Sequence, residues 1–234
     1  MRIYLDVETL PDLDMTYDQK TALFRASVKK NCTKPATIQK KIDEMTEADE
    51  NPWTKTACKP LRCKVYVISW AIESGPIRSL RCTYDDEIID SCHEGEDALL
   101  AEWADSVLAD VELVGVQPSA VRFVAWGGAG FDFQVLRFRL LRIGHPLALR
   151  FPDGPIWRTR HIDPMLIATA GSSRSDGYSL EAVGEFLGLG GKAEGMHGSK
   201  VYPAWRAGQH DKVQRYCEQD VSLLRAVYLR LVGE

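Results

Sequence analysis

Residues 4–9 read YLDVET, a stretch that places two carboxylates one residue apart in an otherwise apolar run. Successive side chains of a β-strand point to opposite faces, so the alternation predicts a strand on which Asp6 and Glu8 share one face. Residues 2–8 are therefore predicted to form the first strand, with its other face buried. The apolar residues of that other face are Ile3, Leu5 and Val7.

The paired carboxylates have two interpretations. Neighbouring carboxylates raise each other's pKa, so the pair needs either solvent or a positive partner. A strand end that reaches water would screen the repulsion. A divalent-cation site would neutralise it, because hard oxygen ligands on one rigid strand suit Mg²⁺ or Mn²⁺. Further carboxylates at matching places in the chain would favour the cation site.

Composition limits the classes of function that the chain can have. Its 234 residues, 45% hydrophobic and 26% charged, predict one globular domain over residues 1–234. It has no apolar stretch of roughly 20 residues and no signal peptide, so we expect a cytoplasmic protein with no membrane partner. The six cysteines contain no CxxC pair, so we expect no zinc site. A net charge of −4 disfavours coating of nucleic acid by bulk electrostatics, but an enzyme could still grip a few nucleotides.

Hydrophobic periodicity predicts an α/β chain with a helical insert after the first strand. The insert, residues 12–60, is mainly polar with apolar residues at helical spacing. Alternation returns in CKVYVISWAIE (63–73), which together with IRSLRCTY (77–84) predicts a hairpin paired with the first strand. The later predicted elements are a helix at 96–110, a strand at 121–126, and helices at 131–144, 179–189 and 211–232.

Two further acids fall at informative places in this predicted order. Asp132 follows a strand and a glycine turn at the start of a helix, where α/β folds often carry functional groups. Alone, it could be an acid favoured by the helix dipole. Asp220 lies four residues after Tyr216 in the last helix, so the two side chains share a face. Alone, they could form a surface hydrogen bond, but together with Asp6 and Glu8 these acids favour a carboxylate cluster.

The order D-x-E, F-D and Y-x-x-x-D resembles the DEDD superfamily of 3′–5′ exonucleases. The tyrosine in YCEQD (216–220) resembles its DEDDy branch. The resemblance to free-standing PolB-type exonucleases of bacteria and phages covers residues 1–8 and 60–231. The similar stretches are YLDVETLPD, FVAWGGAGFDFQVLRFRL, HIDPM, SLEAVGEFLGLGGK and VQRYCEQDVSLL.

This resemblance implies a fold and a chemistry. The fold is α/β and RNase H-like (DnaQ-like), with a mixed central sheet flanked by helices. The implied activity is removal of nucleoside 5′-monophosphates from the 3′ ends of single-stranded DNA by a single exonuclease domain with two divalent cations, Mg²⁺ or Mn²⁺. Tyr216 would orient or deprotonate the attacking water. The implied metal-binding residues are Asp6, Glu8, Asp132 and Asp220.

Three residues are predicted to contact the substrate. Thr9 and Leu10 continue the first motif toward the terminal nucleotide, and Phe131 could stack on a base. Core packing is the alternative interpretation of Phe131. The second motif departs from the family at Gly127, where an asparagine is common, so we expect altered substrate handling rather than an inactive site.

Two alternatives remain open from the sequence. An exoribonuclease or short-oligonucleotide hydrolase would use the same carboxylates, because they do not contact the 2′-hydroxyl that distinguishes RNA from DNA. A non-catalytic adaptor would retain the fold and bind nucleic acid without cutting it. Retention of all four acids argues against the adaptor.

Overall fold

A four-stranded mixed sheet organises the chain. The structure, a computed structural model, describes residues 1–28, 34–47, 51–82, 92–151, 160–171, 177–191 and 196–234. The strand order is β3-β2-β1-β4; β1 is antiparallel to β2, β2 is antiparallel to β3, and β1 is parallel to β4. The predicted first strand and its hairpin are thus confirmed. The strands are β1 (Arg2–Leu10), β2 (Lys64–Ile72), β3 (Arg78–Arg81) and β4 (Arg122–Val124).

Helices flank this sheet, as predicted for an α/β chain. Ser179 caps α6 by accepting a hydrogen bond from the Ala182 backbone N–H, so the predicted helix start is correct. The described α-helices are α1 (Tyr17–Ser27), α2 (Pro35–Glu47), α3 (Cys92–Leu113), α4 (Asp132–Arg142), α5 (Pro164–Ala168), α6 (Leu180–Phe186), α7 (Val201–Arg206) and α8 (His210–Val232). Short 3₁₀ turns lie at Thr54–Cys58, Pro118–Ala120, Pro146–Arg150 and Gly198–Lys200.

Two hydrophobic clusters lie against β1 because its side chains alternate. Ile3, Leu5 and Val7 belong to the larger cluster, which includes buried residues of α3 and α4. Tyr4 belongs to a second cluster with Val221 and other apolar residues of α8. Burial of apolar area from both sides fixes the strand and leaves little freedom of register. Asp6 and Glu8 follow Tyr4 along the strand at alternate positions, so they continue the Tyr4 face.

The predicted insert is tied to the carboxyl end of β1 by hydrogen bonds. The Thr9 hydroxyl donates to the Ala57 carbonyl oxygen at 2.8 Å. The Trp53 indole Nε1 donates to the Asp12 carbonyl oxygen at 2.8 Å, and the Asp12 backbone N–H donates to the Thr56 hydroxyl at 2.8 Å. The insert therefore meets the body of the chain beside the strand that carries Asp6 and Glu8. Its residues 29–33 and 48–50 lie outside the described residues.

The described segments also bear on the membrane prediction. None of the helices in these segments combines the length and the apolar composition that a bilayer crossing needs.

Candidate active site

Asp6 and Glu8 lie together with Cys217 of α8. Possible ligand atoms of these three side chains all lie within 4.8 Å of one another. Asp6 is half-buried and Glu8 is buried, and they stand opposite Ser69 and Val67 of β2. The strand register shifts directly after Glu8. The two carboxylates thus converge at the point where β1 becomes irregular.

Cys217 is a member of this cluster that the sequence analysis missed. Its Sγ donates to the Asp6 carbonyl oxygen and to Asp6 Oδ2, both at 3.4 Å. Burial, followed by the charges of Asp6 and Glu8, raises the pKa of the thiol well above its usual range. The thiolate is the form that binds metals, so this neutral thiol acts as a hydrogen-bond donor to Asp6 instead.

Asp132, the first residue of α4, lies close to Asp6 of this cluster. It is buried, and its pKa is raised well above the usual range, first by burial, then by the charge of Asp6 and less by that of Asp163. Hydrogen bonds from its own backbone N–H and from that of Val7 on β1 oppose this shift. Asp132 is therefore held against β1 close enough to Asp6 for the two negative charges to repel.

Tyr216 and Asp220 are both buried on α8, one turn apart. The pKa of Tyr216 is raised well above its usual range, first by burial and then by the charges of Glu8, Asp220 and Asp6. A side-chain hydrogen bond to Asp220 raises it further. Because every one of these effects favours the neutral phenol, Tyr216 is a hydrogen-bond donor in the protein without cations.

Asp163 organises the loop that precedes Asp132, and the sequence analysis did not single it out. Its Oδ1 accepts hydrogen bonds from the backbone N–H groups of Gly127 at 2.9 Å and Met165 at 3.1 Å. Its Oδ2 accepts one from Ala129 at 3.3 Å. Burial raises the pKa of Asp163, while these backbone hydrogen bonds lower it. The carboxylate thus fastens the glycine turn to the start of α5.

Gly127 stands where the resembled family commonly has asparagine. Its φ of +65° lies in the left-handed region, which glycine adopts freely and asparagine tolerates better than most residues. A Cβ added here would meet only Met165 atoms, at 3.8 and 3.9 Å, which is ordinary van der Waals contact. The backbone would therefore accept either residue, and the change removes a side-chain amide without changing the turn.

The three predicted substrate contacts differ in how they are placed. The side chain of Leu10 is fully buried in the larger core cluster, so it is not exposed to a substrate in this structure. Phe131 is partly buried against the same cluster and precedes Asp132 at the start of α4. The half-buried Thr9 uses its hydroxyl to bind the insert. The apolar side chain of Leu10 therefore packs in the core at the end of β1 instead of facing solvent.

The donor set fits divalent cations such as Mg²⁺ or Mn²⁺. Carboxylate oxygens are hard ligands, and β1, α4 and α8 each contribute at least one of them. The pKa of Asp132 is raised first by burial and then by the negative charge of Asp6, and a bound cation would relieve the repulsion between the two carboxylates. The residues that could hold cations are Asp6, Glu8, Asp132 and Asp220.

Comparisons with known proteins identify a family and a fold for this chain. A family model described as "Predicted 3'-5' exonuclease related to the exonuclease domain of PolB" matches residues 101–233. The structure of the family B DNA polymerase from the hyperthermophilic archaeon Pyrobaculum calidifontis is similar at a TM-score of 0.56 and 14% identity. The similarity covers 99% of this chain and 24% of the polymerase chain. No protein with a curated description matches the sequence. The family match and the likeness in fold confirm the predicted RNase H-like architecture.

Proposed function

The chain belongs to the 3′–5′ exonucleases related to the exonuclease domain of PolB, and from this membership we propose that it degrades single-stranded DNA with two divalent cations. Family membership makes it a hydrolytic enzyme that acts on nucleic acid. The observation that carries the proposal is the convergence of Asp6 and Glu8 with Asp132 and with Tyr216 and Asp220.

The four carboxylates of β1, α4 and α8 would hold the cations, with Asp6 at the centre. Asp6 lies near Glu8 and Cys217, and its charge raises the pKa of both Asp132 and Tyr216. Bound divalent cations would supply positive charge to the attacking and leaving oxygens of an in-line displacement. The Cys217 thiol would fix the orientation of the Asp6 carboxylate by its hydrogen bond to Oδ2.

Tyr216 has the role of an orienting donor in this proposal. In the protein without cations, burial and the charges of Glu8, Asp220 and Asp6 raise the pKa of Tyr216, which favours a protonated phenol that donates a hydrogen bond. The hydroxyl would position the attacking water or a non-bridging phosphate oxygen. Attack on the terminal phosphorus breaks the bond to the neighbouring 3′ oxygen and releases a nucleoside 5′-monophosphate.

The test is hydrolysis of 5′-labelled single-stranded DNA, resolved on a denaturing gel. We expect a ladder that shortens from the 3′ end in Mg²⁺ or Mn²⁺ and disappears in EDTA. A circular single strand of the same composition is the control, because an exonuclease needs a free end. RNA of the same sequence tests the exoribonuclease alternative, since faster RNA hydrolysis would change the substrate class. A folded protein that cuts neither strand would favour the adaptor.

Asp163 supplies a second test of the site. Replacing it with asparagine removes the charge that holds the backbone N–H groups of Gly127 and Ala129, and so loosens the turn before Asp132. Loss of such an outer contact typically costs about 10–100-fold in activity or metal affinity. We expect Asp163→Asn to lower kcat and Mg²⁺ affinity by that factor, measured by titrating Mg²⁺ in the gel assay. An unchanged Mg²⁺ dependence would mean that the turn does not position Asp132.

A further inference from the structure

A groove separates the insert from α7. It encloses a volume of about 1080 Å³ between α1, α2, the segment around Trp53 and α7. Small-molecule sites typically occupy about 300–1,000 Å³, so this groove is large enough for a longer ligand. The lining residues that matter for its chemistry are Tyr17, Lys20, Arg25, Trp53, Tyr202 and Arg206.

Aromatic rings and cations are paired along this groove. Trp53 and Tyr202 meet edge to face with ring centroids 5.3 Å apart. Lys20 Nζ lies 3.9 Å from the Trp53 ring centroid, and Arg206 Cζ lies 5.9 Å from that of Tyr202. Tyr17 is 81% exposed. Proteins that bind single-stranded nucleic acid use this combination, because bases stack on rings while cations follow the phosphates.

The charge of the insert favours an anionic ligand. Residues 12–60 contain nine Lys and Arg against eight Asp and Glu, whereas the whole chain has a net charge of −4. In the groove itself, three basic side chains face the carboxylates of Asp18 and Asp43. This local positive excess would attract a phosphate backbone to one side of an acidic protein.

The groove is joined to the candidate active site on both sides. Trp53 is hydrogen-bonded to Asp12, which lies four residues after Glu8. Four residues of extended chain span at most about 14 Å, so the groove begins within that distance of Glu8. Four stacked nucleotides cover a similar length at about 3.4 Å each. On the opposite wall, α7 packs against β1 and lies just before α8, which carries Tyr216 and Asp220.

We propose that this insert groove binds the single strand upstream of the 3′ terminal nucleotide. The proposal rests on the proposed exonuclease function, since it takes the carboxylate cluster as the place where the 3′ end lies. The exposed ring of Tyr17 would stack on a base, and Lys20, Arg25 and Arg206 would contact phosphates. Stacking of this kind is tolerant of sequence, so the groove would hold any single strand.

Fluorescence anisotropy of 5′-labelled oligothymidine in EDTA tests the groove without hydrolysis. We expect the wild-type protein to bind a 12-mer more tightly than a 4-mer. The double variant Lys20→Glu, Arg206→Glu should bind the 12-mer at least about tenfold more weakly. Its slope of log affinity against log salt should fall by about 1.4, since each lost single-strand phosphate contact contributes about 0.7. Tyr17→Ala should weaken the 12-mer about fivefold or more through lost stacking.

Controls separate binding from folding and from catalysis. Arg122→Glu is a single charge reversal away from the groove, because Arg122 is exposed on β4 next to the opposite end of β1. It should change 12-mer affinity by less than twofold. The double variant Lys20→Gln, Arg206→Gln removes both positive charges without adding negative ones, so it is less prone to misfold. Thermal melts check that every variant is folded. The proposal would be overturned if the wild-type protein bound both lengths equally or did not bind the 12-mer. It would also be overturned if the double variants kept the wild-type affinity or salt slope. If the protein cuts DNA but fails these binding tests, only the groove proposal is wrong. If it passes the binding tests but does not cut DNA, only the proposed nuclease activity is wrong.

Discussion

Replacing Asp6 with asparagine is expected to lower the rate of single-stranded DNA hydrolysis by at least about 10³-fold. Metal-assisted charge stabilisation contributes several kcal/mol to such reactions, and each 1.36 kcal/mol corresponds to a factor of ten. Asp6 lies near Glu8 and Cys217, and its charge shifts the pKa of both Asp132 and Tyr216. Single-turnover hydrolysis of the 5′-labelled strand at saturating Mg²⁺ measures the loss.

The same substitution should stabilise the protein when no cation is present. Asparagine removes one of the crowded negative charges, and its side-chain oxygen can still accept the hydrogen bond from Cys217. A gain of about 1 kcal/mol would raise Tm in EDTA by about 2–4 °C for a domain of this size. The rise of Tm on adding Mg²⁺, which we expect for the wild-type protein, should shrink or vanish.

The matched control is Asp105→Asn on α3. Asp105 is exposed and contacts His145, so its replacement should leave both hydrolysis and the Mg²⁺ response unchanged. Retention of more than a tenth of the wild-type rate by Asp6→Asn would exclude Asp6 as the central ligand. A fall of Tm in EDTA would mean that the carboxylate is already neutralised by another group.

The sequence predicted those parts of the fold that repeat over short distances. Alternation in β1 and β2 and the four-residue spacing of Tyr216 and Asp220 are local patterns, and local burial produces them. The carboxylate positions could therefore be assigned to strand and helix before their distances were known. Strand lengths were less accurate: residues 121–126 predicted a strand, but β4 ends at Val124 because the chain turns at the glycine loop.

The contacts missed by the sequence analysis join segments far apart in the chain. Cys217 donates to Asp6 across 211 positions, and Asp163 holds Gly127 across 36. A local periodicity in the sequence does not reveal a hydrogen bond between residues so far apart. The Asp163–Pro164 pair did carry one local signal, since an Asp before Pro is typical of a helix start, and Asp163 does cap α5. Its second role appears only when the glycine loop is placed beside it.

Replacing Arg139 with methionine is expected to destabilise the protein by about 3–5 kcal/mol, the usual cost of breaking a buried ion pair. Arg139 Nε donates to Glu96 Oε1 at 3.0 Å, and Glu96 is fully buried. Arg139 also donates to the carbonyl oxygens of Pro60 and Cys63 just before β2. The variant would leave both carbonyls without these donors and Glu96 with less compensation. Thermal melts should show Tm lower by about 6 °C or more.

The comparison that decides this prediction is Arg122→Met, the same substitution at an exposed position of β4, which should change Tm by less than about 2 °C. The difference should persist in 1 M salt, because buried pairs are screened much less than surface pairs. Glu96 also accepts from Arg142 at 2.9 Å and from the Val65 backbone N–H at 2.7 Å, so it joins α3, α4 and β2. An Arg139→Met protein with wild-type Tm would show that apolar packing alone sets the position of α4. If Tm falls as expected, the buried ion pair stabilises the packing of α4, the helix that begins at Asp132, against α3 and β2.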